Sequence, residues 1–414
     1  MHLKAISDAK SRALTAYGSI FGLGPEHGLR TMRSVKKQVD QTRVAKRGQP
    51  RILFVSSNGA GLGHLTRLDS IASSLEDSAD CYFYSVSRAV GKLGRDQTKV
   101  GYFPSYGDLR INSKLWNKAL LTHLSSFLAV LSPDTVIFDG TYVYAGVARA
   151  CQALEVPLIW LQRGCWKQEV ALSSFQLKHV DRVADLVIVP GDFAVDEPVR
   201  KSTVDVVGTT PIVRADTARL DRKEARRALG LPVEGRLVLV QLGAGTINNI
   251  VGLRSAVVSG IQELAGNFRV VVPRNPLASH VESLKNVTFI DVYPISKYLS
   301  AFDFAVIAGG YNSVQESIVG CLPSVVIPNE STETDDQNRR AFGAADKGYC
   351  LAATELNDIR SQINQIADVG IQDRLRRNML TAPSADGAQE AARIIMDFLC
   401  KSGISHRGVC EDVR

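Results

Sequence analysis

Cysteine, methionine and tryptophan are scarce in this chain, with 7, 4 and 3 copies among 414 residues. The cysteines, at 81, 151, 165, 321, 350, 400 and 410, are odd in number and include no CxxC pair. That spacing argues against a disulfide framework and against a zinc site, and fits a reduced, cytoplasmic compartment. No apolar run approaches the roughly 18 residues a membrane-spanning helix requires. The start, MHLKAISDAKSRALTAYGSIFGLG, lacks the clean apolar core of a secretory signal. There is no GxxxxGK(S/T) motif, which excludes hydrolysis of ATP by a P-loop. A complete dinucleotide fingerprint is also missing. In SSNGAGLGHLTR (56–67), Gly59 and Gly61 are spaced for it, but His64 stands where the third glycine belongs. The next strand-like run, CYFYSVS, offers no acidic residue for a ribose, so nicotinamide chemistry is set aside.

Charge is present but unevenly placed. Residues 1–50 hold ten Lys/Arg against three Asp/Glu, while the remaining 364 hold 39 of each. The basic character therefore belongs to an N-terminal extension, and the neutral body gives no support to nucleic-acid binding. Leu3, Ile6, Ala13, Leu14, Tyr17, Ile20 and Phe21 fall near one helical face of that extension. Such a segment can lie on an anionic membrane surface, which would make the protein peripheral on the inner face of the membrane. The plainer readings are a partly disordered tail or a helix packed on its own body.

After Pro50 the chain alternates strand-like and helix-like segments. Strands are expected at 51–56, 81–86, 135–139, 157–161, 185–189 and 204–208, with helices at 64–76, 115–131, 142–154 and 172–184. A charged stretch, 211–235, reads as a linker. A second series follows, with strands at 236–242, 268–273, 287–291, 303–308 and 324–328 and helices at 248–264, 311–319 and 335–346. Helical segments run from about 354 to 400, and 401–414 is a tail. The expectation is an α/β protein of two Rossmann-like, doubly wound domains, 51–210 and 236–400, facing across a cleft. The apolar segment 115–131 is expected to pack on the first sheet, or else to border a site for a lipid acceptor.

Three glycine turns follow strands: 59–63, QLGAGTINN (241–249) and AGGYNSVQES (308–317). Each would aim backbone N–H groups and a helix N-terminus at an anion, which points to a diphosphate-bearing ligand. His64 ends the first turn and opens a helix. A neutral imidazole there could take a proton from an acceptor hydroxyl, or donate a hydrogen bond to a departing phosphate. Asp139 ends a strand on the same expected edge, where it could orient His64 as a dyad or merely cap a helix near Tyr142. Asn312 and Ser313 could be simple N-caps, a geometry that phosphate binding shares.

The run GG-x-x-S-x-x-E at 309–316, followed by GCLP, an apolar strand ending in proline and the DQNRRA of 336–341, resembles the donor-binding half of GT-B glycosyltransferases. It is most similar to the MurG-type branch, the glycosyltransferase family 28 C-terminal domain. FIDVYPISKYLSAFDFAVIAGG, the histidine-ended glycine turn and PDTVIFDG (133–140) match that branch as well. The resemblance spans about 51–400 and implies the following. Glu316 takes the ribose hydroxyls of a nucleotide-sugar. Gly309, Gly310, Asn312 and Ser313 line its diphosphate, and Gly243, Gly245 and Thr246 close on the phosphates. Asp336 and Gln337 hydrogen-bond the donor sugar, and the backbone near 290–292 faces the base, uracil by the family's usage. Gly61, Gly63, Arg163 and Trp166 lie on the acceptor side. The implied activity is sugar transfer from a UDP-sugar to a hydroxyl acceptor on a cell-envelope lipid or polysaccharide, with inversion and with neither cofactor nor metal. GAGT stands where the family usually has GGS-x-G, and Tyr311 is larger than usual for its position. Two other functions suit the same fold: a non-hydrolysing nucleotide-sugar 2-epimerase, which would need more cleft carboxylates than are present, and a non-catalytic nucleotide-sugar-binding protein.

Overall fold

The computed structural model describes residues 25–44, 48–57, 62–196, 202–243, 250–274 and 284–403. Two parallel sheets form its frame. The first runs β3-β2-β1-β4-β5-β6-β7, from β1 (Arg51–Ser56), β2 (Asp80–Ser85), β3 (Val100–Tyr102), β4 (Thr135–Asp139), β5 (Leu158–Leu161), β6 (Leu186–Pro190) and β7 (Asp205–Thr209). The second runs β10-β9-β8-β11-β12-β13, from β8 (Arg236–Gln241), β9 (Phe268–Pro273), β10 (Val287–Ile290), β11 (Phe304–Ala308), β12 (Ser324–Ile327) and β13 (Leu351–Ala352). Each sheet reverses its strand order once, at β1/β4 and at β8/β11, the expected doubly wound pattern. Central strands are covered on both faces, which is why ILFV, VIF, LVLV and FAVI read as unbroken apolar runs.

The strands that went unforeseen are edge strands. β3 and β13 have three and two residues, and none of the five is buried, so neither carries an apolar signal. The helix expected over 172–184 is instead three short pieces, at 168–173, 175–178 and 180–182. Ser174 divides the first two, because its side chain accepts from Leu177 N and starts a new turn.

The helices that position the site are few. α1 (Pro25–Val44) lies against α3 (Ser113–Leu131) and buries Met32 and Val35 in the first domain's core. Ser132 Oγ donates to Asp40, and Arg33 Nε to Ala153 O. Residues 25–44 of the basic extension are thus a helix packed on its own body rather than a free membrane tail, and the face over residues 3–21 lies outside the described residues. α3 in turn lies against α4 (Ala145–Ala153), with Trp116, Leu120, Leu124 and Leu128 buried, so 115–131 packs on the first domain as expected. α2 (Gly63–Ser73) follows β1 and buries Leu65, Leu68, Ile71 and Ala72 along one face.

Between the sheets, α5 (Arg222–Ala228) starts at a capping box of Asp221 and Glu224 and packs on the 3-10 turn at 295–301 of the second domain. α6 (Tyr311–Val319) follows β11, and α7 (Gln337–Asp346) follows β12. The last helix, α8 (Gly387–Lys401), crosses back. Its Ala388, Ala391, Ile395 and Leu399 share a core with Ile52, Phe54, Leu68 and Ile71 of the first domain, although its sequence position suggested the second. Cys400, at its end, is disulfide-bonded, and Cys81, Cys151, Cys165, Cys321 and Cys350 are free thiols. Among the described residues no helix is long and apolar enough to cross a membrane.

Candidate functional site

The carboxyl ends of the strands in both sheets meet at the junction of the domains. From the first domain come His64 and Arg67 on α2, Asp139 ending β4, the 162–167 loop after β5 and Asp192 after β6. From the second come Asn312 on α6, Tyr293 after β10, and Thr334 and Asp335 before α7. Many side-chain bonds cross between them. Arg67 Nη1 donates to Asn312 Oδ1 (3.1 Å), Asn312 Nδ2 to Gly63 O (3.4 Å), and Thr66 Oγ1 meets Tyr293 OH (2.8 Å). Arg163 Nη2 donates to Thr334 Oγ1 (3.2 Å), Arg340 Nε to Asp192 Oδ2 (2.7 Å) and Gln315 Nε2 to Asp192 Oδ1 (2.7 Å). Gly343 of α7 passes so near Ala194 that a Cβ would lie 2.4 Å from its carbonyl oxygen, so only glycine permits this approach.

At the centre, His64 Nδ1 lies 2.6 Å from Asp139 Oδ1. Asp139 is buried, and Arg67 grips both its oxygens, Nε to Oδ2 at 3.0 Å and Nη2 to Oδ1 at 2.8 Å. Burial alone would raise the Asp139 carboxyl, but Arg67 and then His64 outweigh it and hold it below the usual range. An ionised oxygen this close requires a proton on Nδ1, so the 3.0 Å approach of Arg67 Nη2 to Nδ1 is a neighbour's contact and not a bond. The basic nitrogen left is Nε2, which has no partner among the described residues. His64 itself titrates below the usual imidazole range, because burial outweighs the pull of Asp139 and because Arg67 and Arg163 oppose a second positive charge. It is therefore neutral at pH 7, the form in which an imidazole can accept a proton. Asp139 caps no helix, since α4 begins at Ala145 after a Tyr144 N-cap without a side-chain bond.

Two helix N-termini converge here. α6 starts after Gly310 with no side-chain cap, and Asn312 and Ser313 do not supply one. α2 starts after Leu62 with no cap and no acid in its first turn. Asn312 Nδ2 donates to Gly63 O, so the uncapped starts of helices from opposite domains adjoin, and the dipole of each favours an anion. Beside them Gly243 leaves β8 at φ 89°, a conformation that favours glycine. Ser313 is half-buried and its hydroxyl has no partner among the described residues.

Glu316 is one turn further along α6. Its half-buried carboxyl makes no hydrogen bond or ion pair among the described residues. Burial pushes it up to about 8, with Arg214 pulling it down and Asp216 pushing it up. Arg214 is itself held by Asp216 (2.9 Å) and by Asp69 of α2 (2.7 Å).

Several residues expected to face substrate also serve the fold. Asp336 Oδ1 accepts from Arg339 N and caps α7, and Gln337 Oε1 accepts from Asn329 N at 2.9 Å. Arg163 and Trp166 sit where the domains join: Trp166 pairs with Asp335 as an antiparallel bridge, and its indole N–H is buried without a partner among the described residues. Gly309 O accepts from Arg340. Gly61, Gly245 and Thr246 lie outside the described residues. Among the described residues no cluster of three or more His, Cys, Asp or Glu could hold a metal ion.

Sequence reasoning passed over Arg67, Tyr293 and Arg340. The available signal for Arg67 was its spacing: three residues after His64, it shares that helix face. For Arg340 it was a charge among the small residues Ala341 and Ala344 of a buried helix face. The unusual Tyr311 is explained by its hydroxyl, which donates to Gly191 O (2.8 Å) and accepts from Ile212 N (3.1 Å), tying α6 to the end of β6 and to the linker.

No profile of a known protein family matches the chain. It is 23% identical over 284 residues to the UDP-N-acetylglucosamine--N-acetylmuramyl-(pentapeptide) pyrophosphoryl-undecaprenol N-acetylglucosamine transferase of Bacillus subtilis, covering 66% of this chain and 75% of that one. The protein of the same name in Acetivibrio thermocellus is 22% identical over 232 residues, covering 54% and 61%. Among solved structures, MurG of Acinetobacter baumannii superposes with a TM-score of 0.55 at 15% identity, over 84% of this chain and all of that one. The glycotransferase of kitacinnamycin superposes with a TM-score of 0.58 at 18% identity, over 84% and 99%. The fold is GT-B, and the likeness to the MurG type that the motifs implied recurs in both comparisons.

Proposed function

We propose that this protein is a glycosyltransferase of the MurG type, moving a sugar from a UDP-sugar to an acceptor hydroxyl on a cell-envelope lipid or polysaccharide. The observation that carries the reading is the meeting of two uncapped helix N-termini beside a neutral, Asp-anchored histidine. The first suits a diphosphate, the second a hydroxyl that must lose its proton. Both sequence relatives are named for a UDP-sugar donor and a lipid pyrophosphate acceptor, which favours that pairing here.

In this mechanism the acceptor oxygen attacks the anomeric carbon from the side opposite the diphosphate, and His64 Nε2 takes its proton. The bond between the anomeric carbon and the diphosphate oxygen breaks, with inversion, and the electron pair leaves with UDP. The growing charge on the leaving phosphate meets the first-turn N–H groups of α6 and the backbone at Gly243. These fixed dipoles serve the role that a metal serves elsewhere. Ser313 completes the phosphate cradle. Asp336 and Gln337 shape the sugar pocket by fixing the 329–337 loop, and Arg163 and Trp166 fix the floor of the acceptor side.

Incubation with labelled UDP-sugars and bacterial membrane extract tests the reading. Sugar on an acceptor supports it. An isomerised nucleotide-sugar would mean a 2-epimerase, and tight binding without turnover a non-catalytic binding protein.

Glu316 gives a second test. Its carboxyl is protonated over much of the neutral range, whereas a ribose diol donates two hydrogen bonds best to a carboxylate. UDP affinity is therefore expected to rise with pH up to about 8 and then level off, with release of a proton on binding, measured by calorimetry in buffers of different ionisation enthalpy. Glu316→Gln is expected to bind UDP more weakly and without this pH dependence; unchanged affinity would remove Glu316 from the ribose. For stability the sign is opposite. A carboxyl raised on folding costs stability as pH climbs from its unfolded value towards 8, so the same variant should melt higher than wild type at pH 8.

A further inference from the structure

Arg67 is buried, and three residues occupy its guanidinium. Its Nε and Nη2 fork across both Asp139 oxygens at 3.0 and 2.8 Å, its Nη1 reaches Asn312 Oδ1 at 3.1 Å, and its face lies 5.1 Å from the centre of the Tyr311 ring. The fork to Asp139 is within the first domain. The contacts with Asn312 and Tyr311 cross to α6, the helix whose uncapped start is the diphosphate site. A rigid, planar side chain thus spans from the carboxylate that orients His64 to the second residue of the donor helix.

We propose that Arg67 is a positioning residue that couples closure of the donor domain to the working geometry of the His64–Asp139 dyad; this rests on the reading of the cleft as a sugar-transfer site. The chain of contact is short. Asp139 Oδ1 is shared between His64 Nδ1 and Arg67 Nη2, so the plane of the carboxylate, and with it the imidazole, follows the guanidinium. Asn312 closes the loop by donating to Gly63 O, next to His64. When the cleft opens, Arg67 keeps its fork to Asp139 but loses Asn312 and the Tyr311 face, so the joined guanidinium–carboxylate pair is no longer clamped from the donor side. When the donor domain closes, Asn312 and Tyr311 clamp that pair, and Nε2 is held in one direction. The base is thus assembled only beside a seated donor, which protects the donor from water. The charges that face His64 come from Asp139 of β4, Arg67 of its own helix and Arg163 of the loop after β5.

Arg67→Lys keeps the charge and removes the fork. Its kcat is expected to fall about 100-fold, the scale of a misplaced catalytic group, with the KM for donor little changed. In a cycle with Asn312→Ala, the two losses should be strongly non-additive, because either change cuts the same link. A readout that does not depend on turnover is the His64 imidazole resonance, assigned by its absence in His64→Gln. In wild type, UDP should shift it; in folded Arg67→Lys, UDP should bind with no such shift. Additive losses, or a shift of equal size in both proteins, would overturn the proposal while leaving the glycosyltransferase reading intact. If wild type neither binds UDP nor transfers sugar, that reading fails instead. The ligand-free resonance then decides: a mobile or altered Nδ1 proton in Arg67→Lys supports the positioning role, and an unchanged one overturns it.

Discussion

Replacement of His64 by alanine is expected to lower kcat by roughly 10²–10⁴-fold, the usual contribution of a general base, with UDP affinity almost unchanged. The expectation follows from position. Nε2 is the one basic group the dyad presents, since Asp139 is spent on Nδ1 and on the Arg67 fork. UDP, on the proposed reading, would be held by backbone N–H groups and by Glu316, which the substitution leaves in place. Steady-state rates at saturating donor, with a separate calorimetric UDP affinity, check it. The pH profile adds a sign. Burial, Arg67 and Arg163 keep the imidazole below its ordinary value of about 6.5, so activity should hold down to that pH and fall only on more acidic ground. Full activity in the alanine variant would dismiss His64 as the base.

Arg340→Met is expected to have the largest effect on stability, a loss of about 3–5 kcal/mol, as for a buried charge cluster stripped of one partner. Arg340 is fully buried. It binds Asp335 through two bonds of 3.1 and 2.9 Å, Asp192 at 2.7 Å and the carbonyl of Gly309 at 3.1 Å. Methionine fills much of the volume but leaves two carboxylates with little solvent, one from each domain. Urea unfolding should show the loss as a lower midpoint. The acid side should change as well. Burial tends to raise the Asp335 carboxyl, but Arg340 and Arg163 hold it below its unfolded value, so its contribution is present above about pH 4 and fades as pH falls through the folded value. Without Arg340 the carboxyl titrates higher, and the variant should lose stability from a less acidic pH than wild type. An unfolding midpoint equal to wild type would show that the cluster is not what joins the domains.

The two sheets were legible because parallel strands covered on both faces announce themselves as short apolar runs, and β1, β4, β8 and β11 are of that kind. β3 and β13 were not, because an edge strand of two or three half-exposed residues has no such run. The dyad was half legible. His64 and Asp139 each end or follow a strand, and the fold rule places those ends together although 75 residues separate them. Arg67 was hidden by its type, since an arginine on a helix reads as solvated until the structure shows it buried. Asp336 and Gln337 were chosen by resemblance. What local pattern could not show is that both also satisfy backbone N–H groups of their own loop, a use that depends on where the chain turns. Nor could it show where α8 docks, because an amphipathic stripe reports that a helix is covered and not by which sheet.

That last helix has a consequence for how the chain comes into being. The core around Ile52, Phe54, Leu68 and Ile71 is completed by Ala388, Ala391, Ile395 and Leu399, more than 300 residues later. The first domain therefore cannot finish folding as it leaves the ribosome; it waits, with one side of its sheet only partly covered by α2, for the last segment to be synthesised. Pairings this distant in sequence are slow to form and leave apolar surface open meanwhile. Fragments that stop after β7 should behave as partly open, aggregation-prone species, and the same fragments should be rescued by a peptide of residues 387–401 supplied in trans.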